Sequence, residues 1–141
     1  MDELVFRKLE QKDRENYLLL LSQLSPVESI DEIHFQKLLD QIELNGHIYV
    51  YEIGGNIIGS GKLLVEQKLS RGGSKVGHLE DVVIDNNYRG LRIGKKLVEN
   101  IIDLAKKEGC YKIVGECNED VIGFYEKIGF EKKGFQIAIY F

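Results

Sequence analysis

The chain has 141 residues, 43% hydrophobic and 30% charged, with one proline and a formal net charge of −4. A chain of this size and make-up fits a single soluble domain that buries roughly 68–70% of its unfolded surface, and its acidic balance argues against a general nucleic-acid binder. No apolar run reaches the length of a membrane span, the acidic N-terminus does not resemble a leader peptide, and Cys110 and Cys117 fall on opposite faces of any strand, so a reducing, cytoplasmic setting without a disulfide is expected.

Residues 4–9 read as a first strand. Residues 11–25 place Tyr17, Leu18, Leu21 and Leu24 at helical spacing, and Pro26 closes that helix. Asp31 is a natural N-cap for a second helix with Ile33, Leu38, Leu39 and Ile42 facing inward. Residues 47–53 and 57–67 are apolar-rich runs joined by Gly54-Gly55-Asn56, a hairpin signal. A polar, glycine-rich loop at 70–75 leads to a strand at 76–84. A long helix then covers 92–107, with Ile93, Leu97, Ile101, Leu104 and Ala105 on its inner side and Gly109 at its C-terminal stop. A strand at 111–117, a short helix at 120–127 and a terminal strand at 130–140 complete the chain. The order β-α-α-β-β-β-α-β-α-β predicts one α/β (α+β) domain around a mixed sheet.

The segment LEDVVIDNNYRGLRIG, residues 79–94, carries the chemistry. An apolar strand, an Arg/Gly loop and a helix start, in that order, make a cradle for a pyrophosphate, because unpaired N–H groups and the positive end of the helix dipole favour anions. Lys95 and Lys96 in the first helical turn oppose that dipole, an arrangement that fits a phosphate nearby. Glu80 and Asp81 precede the loop, but neighbours on a regular strand point to opposite faces, so at most one faces a given pocket unless the strand is bulged or splayed. The three histidines, His34, His47 and His78, have no metal-ligand spacing and no partner motif for a triad.

The strand, loop and helix resemble the acetyl-CoA-binding motif of the GCN5-related N-acetyltransferases, the GNAT superfamily. Arg89 and Gly94 fit the two ends of its Arg/Gln-x-x-Gly-x-Gly/Ala loop, and Arg92 stands where the pattern usually has glycine. Leu79-Glu80-Asp81-Val82-Val83, residues 109–113, Glu116-Cys117 and residues 123–130 narrow the resemblance to the group that acetylates glucosamine 6-phosphate. This resemblance implies a single N-acetyltransferase domain over 1–141 that uses acetyl-CoA, needs no metal and works as a homodimer.

It also implies roles. Backbone groups of Val82, Val83 and Ile84 would pair with the pantetheine arm, and amides of Arg89, Gly90, Leu91, Arg92, Ile93 and Gly94 would hold the pyrophosphate. Tyr125 would sit beside the thioester sulfur and protonate or hydrogen-bond the leaving thiolate, with Asp81 and Glu116 as the other catalytic groups. The sugar phosphate would meet Lys68 and Arg71, and the rest of the sugar Ser25, Glu80, Asp81 and Glu116. Tyr111 and Lys112 would reach into a neighbouring subunit's site. The family's Asn three residues before the Phe-Tyr pair is Val121 here, with Asn118 close by as a substitute cofactor contact, and Tyr140 replaces a basic residue near the C-terminus.

Each residue has a plainer reading. Tyr125 with Phe124 makes a good core plug, Lys68 and Arg71 make ordinary surface charges, and Ser25 ends a helix. Two rivals stand beside the main one: the same fold acetylating another amine, and a non-catalytic acyl-CoA-binding module.

Overall fold

The computed structural model describes residues 3–141. In chain order they form β1 (Leu4–Lys8), a 3-10 turn (Gln11–Asp13) running into α1 (Arg14–Leu21), α2 (Glu32–Glu43), β2 (Gly46–Ile53), β3 (Asn56–Gln67), the single turn α3 (Ser70–Gly73), β4 (Lys75–Ile84), α4 (Ile93–Lys107), β5 (Cys110–Gly115) and α5 (Ile122–Ile128). The strands lie side by side in sequence order. Every adjacent pair is antiparallel except β4 and β5, which are parallel and joined by α4 as the crossover.

Alternation along β2 separates the two layers of the core. Tyr49 and Tyr51 face α4, whose Leu97, Val98 and Ile101 are fully buried beside Ile58, Leu63 and Leu79. Ile48 and Val50 face the other way, onto Tyr17 and Leu20 of α1 and Phe35 and Leu39 of α2. Asp31 caps α2 by accepting from the His34 amide at 2.8 Å. An ion cluster locks the edge strand to the first helix: Arg7 donates to both carboxylate oxygens of the buried Asp13, at 2.8 and 2.9 Å, and to Glu52 of β2 at 2.8 Å.

Four expectations are corrected. The first helix ends at Leu21, where the Ser22 hydroxyl donates back to the Leu19 carbonyl, so Leu20 rather than Leu24 lines the core. Phe35 takes the inward place expected for Ile33, which lies exposed. β5 stops at Gly115, two residues early. The terminal strand expected at 130–140 does not form within the described residues. Its apolar side chains alternate as a strand should, but no second layer of this chain covers them, and Phe135 and Ile137 are 99% and 91% exposed.

Candidate active site

The two acids of β4 are brought together by a fault in the sheet. Ser60 of β3 pairs with Val83 and Lys62 with Glu80, so two steps on β3 face three on β4, and the extra residue falls at Asp81 and Val82. Asp81 adopts φ 51°, left-handed backbone that a short polar side chain tolerates better than most. The bulge overrides the alternation that would set Glu80 and Asp81 apart. Glu80 lies directly across from Lys62, hence on the same face, and the Asp81 carboxylate lies 3.3 Å from the Lys62 ammonium. Sequence reasoning missed Lys62; pairing the two strands by register was the signal that would have found it.

The same stretch opens a slot. β5 runs beside β4 only from Lys75 to Leu79, where Gly115 is its last partner. From Glu80 to Ile84, the backbone of β4 has no strand on that side among the described residues, so the stretch 82–84 lies at an open edge. Val83 itself is buried against the α1/α2 layer, while Val82 and Ile84 pack toward α4. The edge leads into residues 85–92: Asp85 accepts from the Asn87 amide at 2.9 Å, and Arg89 donates from Nε to the Ile84 carbonyl at 3.1 Å. Gly90 turns the chain at φ 83°, open to a glycine, and Arg92, the N-cap of α4, sits at φ 61° with no side chain capping the helix. The first amides of α4 thus point outward unpaired, as anion binding requires. Arg92 occupies the left-handed position that explains why the motif usually has glycine there. The Phe124 ring lies across the helix start beside Gly94, where an added Cβ would touch it at an ordinary contact distance of 3.4 Å. Another contact was not foreseen. The Asn86 amide donates to the Gln23 side chain at 2.9 Å, which ties the loop after α1 to the start of this cradle.

Tyr125 projects from α5 against the α4 layer, edge-on to Phe124 and Phe130 with ring centroids 4.9 and 5.6 Å away. Burial pushes its phenol above the ordinary value of 10.0, and the nearby Cys117 adds to that. The hydroxyl therefore stays protonated at neutral pH. Glu116 follows Gly115 at the fork of the two strands and accepts a hydrogen bond from Gln136 of the C-terminal segment. Asn118 precedes a 3-10 turn (Glu119–Val121) without capping it through its side chain. Both cysteines are free.

The basic residues gather elsewhere. Arg71, at the tip of α3, stacks over the Tyr111 ring at 4.7 Å, and the Lys112 ammonium lies 5.4 Å from the same ring. Desolvation is the largest single influence on the Tyr111 phenol and works upward, but these two cations together outweigh it and hold the phenol below its ordinary value. Lys68 pairs with Glu66 at 3.1 Å, as does His78 at 2.9 Å. Lys112 is in register with Val76, five residues short of Asp81, roughly 17 Å along the strand. Within one chain, then, the cationic cluster and the paired acids stand at opposite ends of β4. Ser25 is exposed beyond α1, its amide donating to the Leu21 carbonyl at 3.2 Å, and Tyr140 is exposed near the C-terminus. Among the described residues, no group of three or more His, Cys, Asp or Glu side chains is placed to hold a metal ion, and no helix is long and apolar enough to cross a membrane.

Residues 8–130 match the acetyltransferase (GNAT) family. The chain is 38% identical to the glucosamine 6-phosphate N-acetyltransferase of Arabidopsis thaliana, over 96% of this chain and 95% of that protein. It is 34% identical to the enzyme of the same name from Trypanosoma brucei brucei, over 91% and 89% of the two chains. The crystal structure of the Arabidopsis protein superposes with a TM-score of 0.93 at 36% identity, covering 99% of each chain.

Proposed function

The chain belongs to the GNAT acetyltransferase family, and on that premise we propose that it moves the acetyl group of acetyl-CoA onto the amine of D-glucosamine 6-phosphate, giving N-acetyl-D-glucosamine 6-phosphate and CoA on the route to UDP-N-acetylglucosamine. The observation that carries the mechanism is the fork between β4 and β5, which runs from the paired acids to the uncapped start of α4. Backbone groups of residues 82–84 receive the extended arm of the co-substrate as an added strand. The amides of residues 89–94 hold its pyrophosphate, and Asn118 offers a further polar contact. At the mouth of the slot, Glu80 and Asp81 bind and orient the amino sugar, and Glu116 accepts the proton released as the neutral amine attacks, directly or through water. Tyr125 donates to the departing sulfur. Most of the acceleration comes from juxtaposing two substrates in one slot and from hydrogen bonds to developing charge.

The acceptor's phosphate needs a cationic partner, and Arg71 with Lys112 is a pair suited to it; a guanidinium matches a phosphate in shape as well as charge. Their distance from Asp81 within the chain favours an active homodimer, in which Arg71, Tyr111 and Lys112 of one protomer complete the partner's site. Two further features support it. β5 has an unpaired outer edge, and residues 135–139 form an exposed alternating apolar segment, the two halves of a strand-addition contact related by two-fold symmetry. Free cysteines accord with a cytoplasmic enzyme.

A CoA-release assay compares glucosamine with its 6-phosphate. The phosphorylated sugar is expected to have the higher kcat/KM by at least tenfold, and Arg71→Ala to remove most of that advantage while leaving glucosamine unaffected, as loss of a charged hydrogen bond of about 1.5–3 kcal/mol implies. Equal kcat/KM for the two sugars refutes the assignment. The shared site has its own test. When Lys112→Ala and Tyr125→Phe protomers are mixed, some heterodimers collect both lesions in one site and leave the other intact, so activity rises above either parent. A fully active monomer in sedimentation excludes sharing.

A further inference from the structure

Lys62 has no place in the roles assigned so far, yet it touches the centre of the site. Its side chain is only 19% exposed, it lies on β3 directly across from Glu80, and its ammonium is 3.3 Å from Asp81 Oδ2. On that face Tyr17 of α1 is buried, its phenol pushed up to about 12 by burial and then by the Asp81 charge, and Ser60 is spent donating to the Tyr49 carbonyl at 3.0 Å, while the charges further along, His78 and Glu66, pair with each other at 2.9 Å. Two carboxylates forced onto one face by a bulge repel one another. Asp81 also sits in left-handed backbone, which by itself does not fix where its side chain points. A cation paired with Asp81, on the strand opposite Glu80, answers both problems.

We propose that Lys62 is a positioning residue for the acceptor amine: its ion pair holds the Asp81 carboxylate at the bulge, aimed into the mouth of the β4–β5 slot. Lys62 does this from the neighbouring strand. The Asp81 side chain is 46% exposed, so the pair contributes little to stability and its effect falls on geometry. The inference rests on the slot being the acetyl-transfer site but not on which amine is acetylated. It is therefore tested with whichever amine gives the fastest CoA release, and it survives or fails separately from the sugar assignment.

The test is a double-mutant cycle read as kcat/KM for the acceptor. Lys62→Met, which keeps the length of the stem, is expected to lower that ratio five- to tenfold, with the KM for acetyl-CoA and the melting temperature unchanged. Lys62→Arg, which keeps the charge, should recover most of it. If Lys62 works through Asp81, adding Lys62→Met to Asp81→Asn costs nothing further. Additive losses, an effect under twofold, or equal losses in the Met and Arg variants overturn the proposal. If Lys62→Met does not fold, Lys62→Gln takes its place in the same cycle: a fivefold or greater loss that vanishes in the Asp81→Asn background supports the proposal, and additive or absent losses refute it.

Discussion

Replacing Tyr125 by phenylalanine is expected to lower kcat by about a hundredfold, the scale of a positioned proton donor, while acetyl-CoA binds as before. The reason is the separation between what the ring does and what the hydroxyl does. The ring packs edge-on to Phe124 and Phe130, and phenylalanine preserves both contacts. The hydroxyl matters only as negative charge builds on sulfur, so its loss appears in kcat and kcat/KM together and not in ground-state binding. Burial raises the phenol above its ordinary value, so Tyr125 keeps its proton throughout the neutral range. Calorimetric titration with CoA and steady-state kinetics on the same preparation check both halves. Unchanged turnover where chemistry is rate-limiting would return the residue to a packing role.

Asp13→Ala is expected to cost about 3 kcal/mol of stability, toward the lower end for a broken buried ion pair because Glu52 still holds Arg7. For a chain of this length that is a fall of about 10 °C in melting temperature. The acid dependence follows from linkage. Burial alone would raise the Asp13 carboxyl, but hydrogen bonds from Arg7 and from the Glu10 amide bring it below its ordinary 3.8. Its folded value is therefore depressed: the stabilisation is complete above the unfolded value and is lost as pH falls through the folded one. Thermal melts of the wild type should weaken as the pH drops below about 4, and the variant should lose that share of the slope. A variant melting within two degrees of wild type would show the cluster to be inert.

The cradle was legible because its signals are local. Glycine at 90, an apolar strand before it and a helical apolar stripe after it are each written within a few residues, and α4 begins within one residue of its expected start. The paired acids were not. A period of two sets Glu80 and Asp81 on opposite faces, and the slip that reunites them belongs to the pairing of β3 with β4, which no local propensity records. The meeting of Arg71 with Tyr111 and Lys112 is of the same kind: forty residues apart in sequence, they are joined only by the parallel register of β4 and β5. The strand expected at 130–140 is the other miss, although its apolar side chains alternate. What that alternation could not reveal is that the chain itself supplies no layer to cover it.

The fork between β4 and β5 ties the chain's endurance to its supply of coenzyme. Half of β4 carries a ladder on one side alone, and on the proposed reading a pantetheine arm lying there would make the missing rungs, so the ligand would behave as a detachable strand. Any species with that arm would do so, acetylated or not. Spent CoA would therefore shield the edge-facing amides of this stretch from solvent exchange as well as the loaded form does, and would protect the fold by mass action in the same way. Resistance to heat would then report the total coenzyme pool, while turnover reports only its acetylated fraction. The protein would remain intact when the acetyl supply fails and be ready at once when it returns.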